Sequence, residues 1–248
     1  CAPHRLKGAM QLGGQEHFYL ESQIALASPR EQDGLHVLSS TQHPSEMQQL
    51  IAHMLGWSSH QISVECRRMG GAFGGKESQS AQVACAAALA AWKTGQAVKL
   101  RLDRDDDMQI TGKRHDFSYE WEAGFDEAGR LHGLAITMAS RCGFSTDLSG
   151  PVNDRAIFHL DNCYYLDALA VRSLRLRTHT VSNTAFRGFG GPQGIFAIET
   201  ILDDIARFLG LDPLAVREAN FYGEPGSETR TTTHYGMPVQ DNVAPALV

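Results

Sequence analysis

Residues 68–77, RMGGAFGGKE, place four glycines within six positions, at Gly70, Gly71, Gly74 and Gly75. Glycine reaches positive φ without steric cost and lets the backbone approach another group closely. Upstream, QISVEC alternates apolar residues at Ile62, Val64 and Cys66, the period of a strand. Downstream, SAQVACAAALAAW is rich in alanine, the strongest helix former. A strand, a glycine loop and a helix in that order aim free N–H groups and a helix N-terminus at an anion. A nucleotide phosphate is the first anion to test. Gly70, Gly75 and Lys76 keep the spacing of a P-loop, but the next position, which needs Ser or Thr to hold Mg²⁺, is Glu77. The pattern fails at the residue that would carry the metal. A tight strand-to-helix turn with no ligand stays open beside it.

The chain has 248 residues, 42% of them hydrophobic, enough for one large packed domain or two small ones. Its formal charge of −6 at pH 7 speaks against a nucleic-acid surface, which needs a basic stripe. No apolar run reaches the length of a membrane span, and no charged segment followed by an apolar one marks a signal peptide. The five cysteines, Cys1, Cys66, Cys85, Cys142 and Cys163, include no C-x-x-C pair and read as free thiols in a reducing compartment, so a cytoplasmic protein is expected. The first residue is Cys rather than Met, and the final DNVAPALV reads as an element cut short. A piece of a longer polypeptide is therefore expected.

Residues 11–27 read as a loop entering a strand, with Gln15, Glu16 and His17 as a polar cluster of structural rather than metal-binding type. Leu35, Val37 and Ser39 alternate as a strand. Met47, Leu50, Ile51, Met54 and Leu55 keep the spacing of one helix face, stopped at Gly56. Gln42 falls where that strand hands over to that helix. Val98, Leu100 and Leu102 form a strand after Gly95, and the run RLDRDDD reads as a solvated charged turn. Phe117, Tyr119, Trp121, Ala123 and Phe125 alternate strictly, followed by a DEAGR turn and a second strand over 131–142. Residues 143–168 read as mostly irregular, broken at Gly150 and Pro151. Leu174 and Leu176 alternate with arginines as a further strand. A second glycine loop, SNTAFRGFGGPQG at 182–194, opens a helix striped by Ile195, Ile198, Ile201, Leu202, Ile205 and Leu209. A short helix begins at Asp212 and Pro213, and 223–233 is polar and loop-like. Three helix starts thus follow polar or glycine-rich segments, at Gln42, at 70–75 and at 187–191. Together they offer three N-terminal dipoles to one anion.

Four segments in this order, RMGGAFGGKE, LDRDDDMQITGKRH, RAIFHLDNCY and SNTAFRGFGGPQG, resemble the molybdenum-binding region of the xanthine oxidase family of molybdenum hydroxylases. The likeness runs from about Gly13 to Tyr222. One departure is Ala72, where the family has Gly; Phe73 and Glu77 stay in register. The resemblance implies an α+β fold, a mixed-sheet molybdopterin-binding domain with helices following the glycine-rich loops. It places a first molybdenum-cofactor-binding domain at 1–225, in two sub-lobes of about 11–112 and 113–225, with 226–248 the start of a following segment. The implied activity is that of an oxidoreductase of purine catabolism, hydroxylating hypoxanthine and xanthine towards urate with water as the oxygen source. The aldehyde oxidoreductases of the same family are the alternative.

By the same resemblance, Gln42, Phe73 and Arg187 belong to the ligand shell of the molybdenum, and Gly74 and Gly188 to the cofactor cradle. Glu77 matches a carboxylate hydrogen-bonded to the purine. Arg155 matches an arginine that meets charge developing on the ring, and Phe189 an aromatic ring stacked on the purine face. Each has a plainer reading: Glu77 as a charge at a helix N-terminus, Arg155 as a surface arginine, Phe189 as core. No catalytic residue is assigned, because the family's general-base glutamate lies further downstream. The 2Fe-2S clusters, FAD and NAD implied for the whole enzyme are not held by this chain, which has no cysteine cluster to ligate iron. The partners implied are a small purine, the rest of the molybdenum domain, and iron–sulfur and flavin domains or subunits in an oligomer, with the fragment inactive alone. A P-loop-like nucleotide-binding module and a non-catalytic interaction domain are the readings from other classes.

Overall fold

In the computed structural model, which describes residues 2–31, 34–223 and 229–239, two four-stranded sheets, each backed by helices, make an α+β fold. One sheet holds β2 (Ile24–Arg30), β3 (Gly34–Ser39), β4 (Ile62–Glu65) and β5 (Val98–Arg101), in the order β4-β3-β2-β5. β3 and β4 run parallel, and α1 (Pro44–Leu55) makes the crossover between them. α2 (Ser80–Thr94) packs on the same sheet through Val83 and the alanines Ala84, Ala87, Ala88 and Ala91, whose small side chains let helix and sheet approach closely. Of the apolar set on α1, Met47 and Ile51 are buried, but Leu50 and Met54 stay 38% and 39% exposed, so the buried stripe is narrower than the sequence suggests.

The RLDRDDD run leaves β5 and opens a helix rather than forming a turn. α3 (Arg104–Ile110) is capped by Asp103, whose carboxylate accepts the Asp106 N–H at 2.8 Å. Asp105, Asp106 and Asp107 sit in its first turn, where the helix dipole favours negative charge.

The other sheet is ordered β1-β6-β7-β8, from β1 (His4–Leu12), β6 (Phe117–Phe125), β7 (Leu131–Gly143) and β8 (Leu169–Arg177). β1 has no clear periodicity in sequence because its inward series is Leu6, Gly8, Met10, Leu12. The gap at Gly8 is filled by the Trp121 indole, where a Cβ would lie 2.6 Å from Trp121 Cε2. Since β1 pairs with β6 along its length, residues 11 and 12 join the second sheet rather than the first. The region 143–168 is likewise more ordered than expected. α4 (Ser149–Phe158) carries the parallel crossover from β7 to β8, and Pro151 falls in its first turn, where no intrahelical donor is missed. α5 (Gly191–Leu209) lays Ile198, Ile201, Leu202 and Ile205 against Phe117, Tyr119 and Phe125 of β6 and Ile136 and Met138 of β7. Each such large apolar side chain contributes about 1.5–3 kcal/mol by leaving water. α5 ends at Gly210 in the left-handed region, and α6 (Pro213–Asn220) begins under an Asp212 cap.

Cys66, Cys85, Cys142 and Cys163 are free thiols. Among the described residues no helix is long and apolar enough to cross a membrane. Residues 226–228 and 240–248 of the expected following segment lie outside the described residues.

Candidate functional site

The two glycine loops meet in the seam between the sheets. The first turns back on itself through Gly75 N–H to the Ala72 carbonyl, at 2.8 Å. Phe73 and Gly74 both adopt positive φ, 55° and 99°. A Cβ at Gly74 would fall 2.7 Å from the Ala185 carbonyl oxygen of the second loop, so only glycine permits this approach. Ala72 is buried and not at positive φ, so its methyl is accommodated without backbone strain.

Gln42 is joined to the first loop at three points. Its backbone N–H donates to the Lys76 carbonyl at 2.9 Å. Its side-chain carbonyl accepts the N–H of Gly74 at 3.0 Å and of Lys76 at 3.2 Å. Two backbone donors fix which end of the amide is oxygen. The Nε2 end of this exposed residue has no hydrogen-bond partner among the described residues.

The second loop is tied to the first by Arg187 N–H, which donates to the Phe73 carbonyl at 2.9 Å. It repeats the same backbone device, with Gly188, Phe189 and Gly190 at φ of 91°, 48° and 95°. Gly190 and Gly194 pack against the backbone of α4 at Val152 and Ala156, and Arg155 lies on the exposed side of α4. Gln42, Phe73, Gly74, Arg187 and Gly188 are therefore brought together. Glu77 follows directly, half-buried, and Phe189 is half-buried within the second loop.

Glu77 and Arg155 form no ion pair with each other; Arg155 Nε donates to His159 Nε2 at 3.3 Å, one helical turn on. Burial pushes the Glu77 carboxyl up, His43 draws it back, and the nearby carboxylates Asp147 and Glu46 push it further up. Asp147 is itself held by the Gln79 side chain at 3.2 Å, and Gln79 also accepts the Gly112 N–H at 2.9 Å.

Lys76 does not face the site. It is fully buried, and its ammonium donates to the Glu21 carbonyl, the Glu21 carboxylate and the Ser40 hydroxyl. A P-loop lysine must reach a phosphate; this one has turned inward, so the nucleotide-binding alternative fails on geometry as well as on Glu77.

Several residues that hold the loops escape the sequence reading. Arg114, buried, lays its guanidinium 3.9 Å from the Phe186 ring centroid and donates to the Arg187 carbonyl at 2.8 Å and to Gln15 Oε1 at 2.7 Å. His17 donates from Nε2 to the Ala185 carbonyl at 2.7 Å and packs on Phe186, and burial lowers its pKa. Glu16 pairs with Lys113 at 2.8 Å. The polar cluster at 15–17 thus has the structural role expected of it. Behind the first loop, buried Asp107 accepts the Tyr19 hydroxyl at 2.6 Å and the Gln23 N–H at 2.8 Å, and the Gln23 amide reaches the Gly75 carbonyl at 2.8 Å. The only signal for these contacts is the polar character of the residues themselves.

Among the described residues no group of three His, Cys, Asp or Glu side chains is placed to hold a metal ion. The seam offers donors instead: the Gln42 amide, the exposed Arg187 guanidinium, and the N–H groups of Phe73 and Gly188, which have no partner among the described residues. Such a set suits an anion that brings its metal with ligands of its own.

Known proteins carry the same stretch. The molybdopterin cofactor-binding domain family matches residues 1–221. The xanthine dehydrogenase of Calliphora vicina is 48% identical over 223 residues, 90% of this chain and 16% of that protein. The nicotinate hydroxylase hnxS of Emericella nidulans is 42% identical over 220 residues, 88% of this chain and 16% of that protein. The chain spans about one sixth of the length of these curated relatives. Among solved structures, the aldehyde oxidoreductase of Desulfovibrio gigas superposes with a TM-score of 0.78 at 28% identity, over 93% of this chain and 25% of that one.

Proposed function

The chain belongs to the molybdopterin cofactor-binding domain family, and from that footing we propose that it supplies one face of the molybdenum site of a xanthine dehydrogenase. The observation that carries this reading is the closure of the seam. Gln42 Oε1 is fixed by Gly74 N–H and Lys76 N–H, and Arg187 N–H by the Phe73 carbonyl, which leaves donors free on all three segments.

These residues fit molybdopterin. The cofactor is anionic and carries sulfur ligands for its metal, so the protein needs to provide hydrogen-bond donors and a rigid cradle rather than a metal-ligand cluster. Gln42, Phe73 and Arg187 would hold the cofactor's metal end, with Gly74 and Gly188 allowing the backbone to come close. When bound, the cofactor supplies the redox chemistry that hydroxylates a ring carbon with oxygen from water. On the substrate side, Glu77 accepts a hydrogen bond from a purine N–H, Phe189 stacks on the ring, and Arg155 meets negative charge that grows on the ring during reaction. Charge-assisted contacts of this kind contribute about 1.5–3 kcal/mol each. The general base, the 2Fe-2S clusters, FAD and NAD belong to other parts of the full enzyme, which we place in the cytoplasm as an oligomer.

The test uses the full-length protein. Metal and pterin analysis should return stoichiometric molybdenum and molybdopterin. The kcat/KM for hypoxanthine and xanthine should exceed that for nicotinate and a small aromatic aldehyde by more than about tenfold. An aldehyde preference would move the protein to the aldehyde oxidoreductases. A protein without molybdenum and pterin would overturn the reading altogether.

A further inference from the structure

Lys76 occupies the sequence position of a phosphate-binding lysine but turns inward. Its ammonium is surrounded by the Glu21 carbonyl at 2.7 Å, the Glu21 carboxylate at 3.1 Å and the Ser40 hydroxyl at 2.8 Å, and lies 4.6 Å from the Tyr19 ring centroid. Three oxygens use up its three N–H donors and require the charged form. Its backbone is as fully engaged. The carbonyl accepts from Gln42 N–H, the Thr41 hydroxyl and the Ser80 hydroxyl, and the N–H donates to Gln42 Oε1.

Glu21 closes the ring of contacts. Its carboxylate accepts the Gly70 N–H at 3.0 Å and the Ser40 hydroxyl at 2.5 Å, while its own N–H donates to the Gly70 carbonyl at 3.1 Å. A Cβ at Gly70 would fall 2.5 Å from Glu21 Cβ, so glycine is needed for the approach. The Lys76–Glu21 pair thereby joins the start of the glycine loop, its end, the turn after β3 and the amide of Gln42. Burial alone would raise the Glu21 carboxyl, but hydrogen bonds from Ser40 and Gly70 and the Lys76 ammonium hold it below the usual carboxylate range. Burial draws the Lys76 ammonium below the lysine range, with Glu21 opposing. A buried ion pair is seldom the most stable filling of a core, because desolvation offsets much of the attraction. What its directed hydrogen bonds do is fix geometry.

We propose that Lys76 is a positioning residue: through Glu21, Ser40 and Gln42 it sets the relative places of Gln42, Phe73 and Glu77. Its consequence for turnover rests on the seam being the cofactor site; the clamp itself is a property of the chain alone.

The experiment compares Lys76→Met and Glu21→Gln with wild type in the full-length protein, by amide hydrogen exchange and by molybdenum content and turnover per molybdenum. In Lys76→Met the Gly70 and Gly74 amides should exchange about tenfold faster while β6 and β7 stay protected, the pattern of local rather than global opening. Molybdenum content should fall, and the loaded fraction should lose kcat more than it gains KM. Glu21→Gln, which keeps shape and one acceptor, should show the same pattern at a smaller amplitude, about threefold. Loop exchange unchanged in both variants would overturn the clamp. So would faster exchange spread evenly over the whole protein in both. A wild-type protein free of molybdenum would defeat the proposed function and leave the exchange result to judge the clamp.

Discussion

Gln42→Glu and Gln42→Ala separate two tasks of one side chain. The carbonyl end holds the loop through two backbone N–H groups, at 3.0 and 3.2 Å. The amide nitrogen is free and, in the proposed site, donates toward the metal's ligands. Each neutral hydrogen bond contributes about 0.5–1.5 kcal/mol net, so alanine should lower the cost of opening the loop by about 1–3 kcal/mol. At about 1.4 kcal/mol per tenfold, the Gly74 amide should exchange roughly 5- to 150-fold faster. Because Gln42 is exposed and water replaces the lost acceptor, the lower part of that range is expected. Glutamate keeps both acceptors and strengthens them by its charge, so Gly74 exchange should not rise. It removes the donor, and losing one donor to a developing charge slows reactions by about 10²–10³. The assay is exchange at Gly74 and turnover per molybdenum, both in full-length protein. The glutamate variant should be ordered and slow; the alanine variant loose and slow. Wild-type turnover in the fully loaded glutamate variant would remove Gln42 Nε2 from the site. Wild-type exchange in the alanine variant would mean that something other than Oε1 holds the loop.

Gly74→Ala should part the two loops, since its φ of 99° and the Ala185 carbonyl at 2.7 Å both exclude a methyl group. A cost of roughly 1–3 kcal/mol is expected from the strain alone, and loss of protection at the Arg187 amide would report it; a protected Arg187 would contradict the stated contact. Arg155→Met should slow purine turnover by about two orders of magnitude, from roughly 3 kcal/mol of lost transition-state stabilisation, and aldehyde turnover much less. Equal losses on both substrates would assign Arg155 to the fold. His115 is fully buried with Ser149 Oγ at 2.7 Å, and burial lowers its pKa to about 4. Because the folded value lies below the unfolded one, the neutral ring stabilises the fold above pH 6.5, and this is lost as pH falls towards 4. The loss is on the order of 3 kcal/mol. His115→Gln should flatten the pH dependence of denaturant unfolding over that window, and parallel pH slopes would refute the assignment.

Strict alternation in β6 and the isoleucine stripe of α5 were legible because both faces of each element obey one rule, buried or solvent. α3 was not, because a run of charge in sequence has the same look whether it is a solvated turn or a helix start. Its acidic residues serve the helix end, and Asp107 is buried under Tyr19 and Gln23. α4 was hidden by Gly150 and Pro151, which break a helix interior but suit its first turn. β1 was hidden by Gly8, whose missing side chain is supplied by Trp121 from across the sheet. In the site, the glycine loops were visible as motifs, while their supports were not. His17 and Ala185 stand 168 positions apart and Arg114 and Arg187 are 73 apart, and no local pattern encodes such a choice of partner.

The two loops share one backbone device, and the first leans on the second. Each sets a phenylalanine in the left-handed region directly before a glycine that is also at positive φ: Phe73 with Gly74, Phe189 with Gly190. Glycine adopts this backbone freely, but each phenylalanine there carries a strain of about 1–3 kcal/mol and persists only where neighbours over-determine it. For Phe73 those neighbours are largely the other loop, whereas Phe189 N–H donates to the Phe186 carbonyl at 2.7 Å and Gly190 packs on Val152 and Ala156 of α4. The Phe73 carbonyl accepts Arg187 N–H, the Gly74 backbone lies against Ala185, and the Arg187 carbonyl is held by Arg114, which stacks on Phe186. The first loop alone would keep its strain without these compensating contacts. The first loop belongs to the sheet of β2–β5 and the second precedes α5 on the other sheet, so the strain couples the two halves. Relaxing Phe73 releases the carbonyl that accepts Arg187 N–H and the close approach of Gly74 to Ala185. The seam is thus a cooperative unit, and its rigidity follows from the same contacts that bring Gln42, Phe73 and Arg187 to one place.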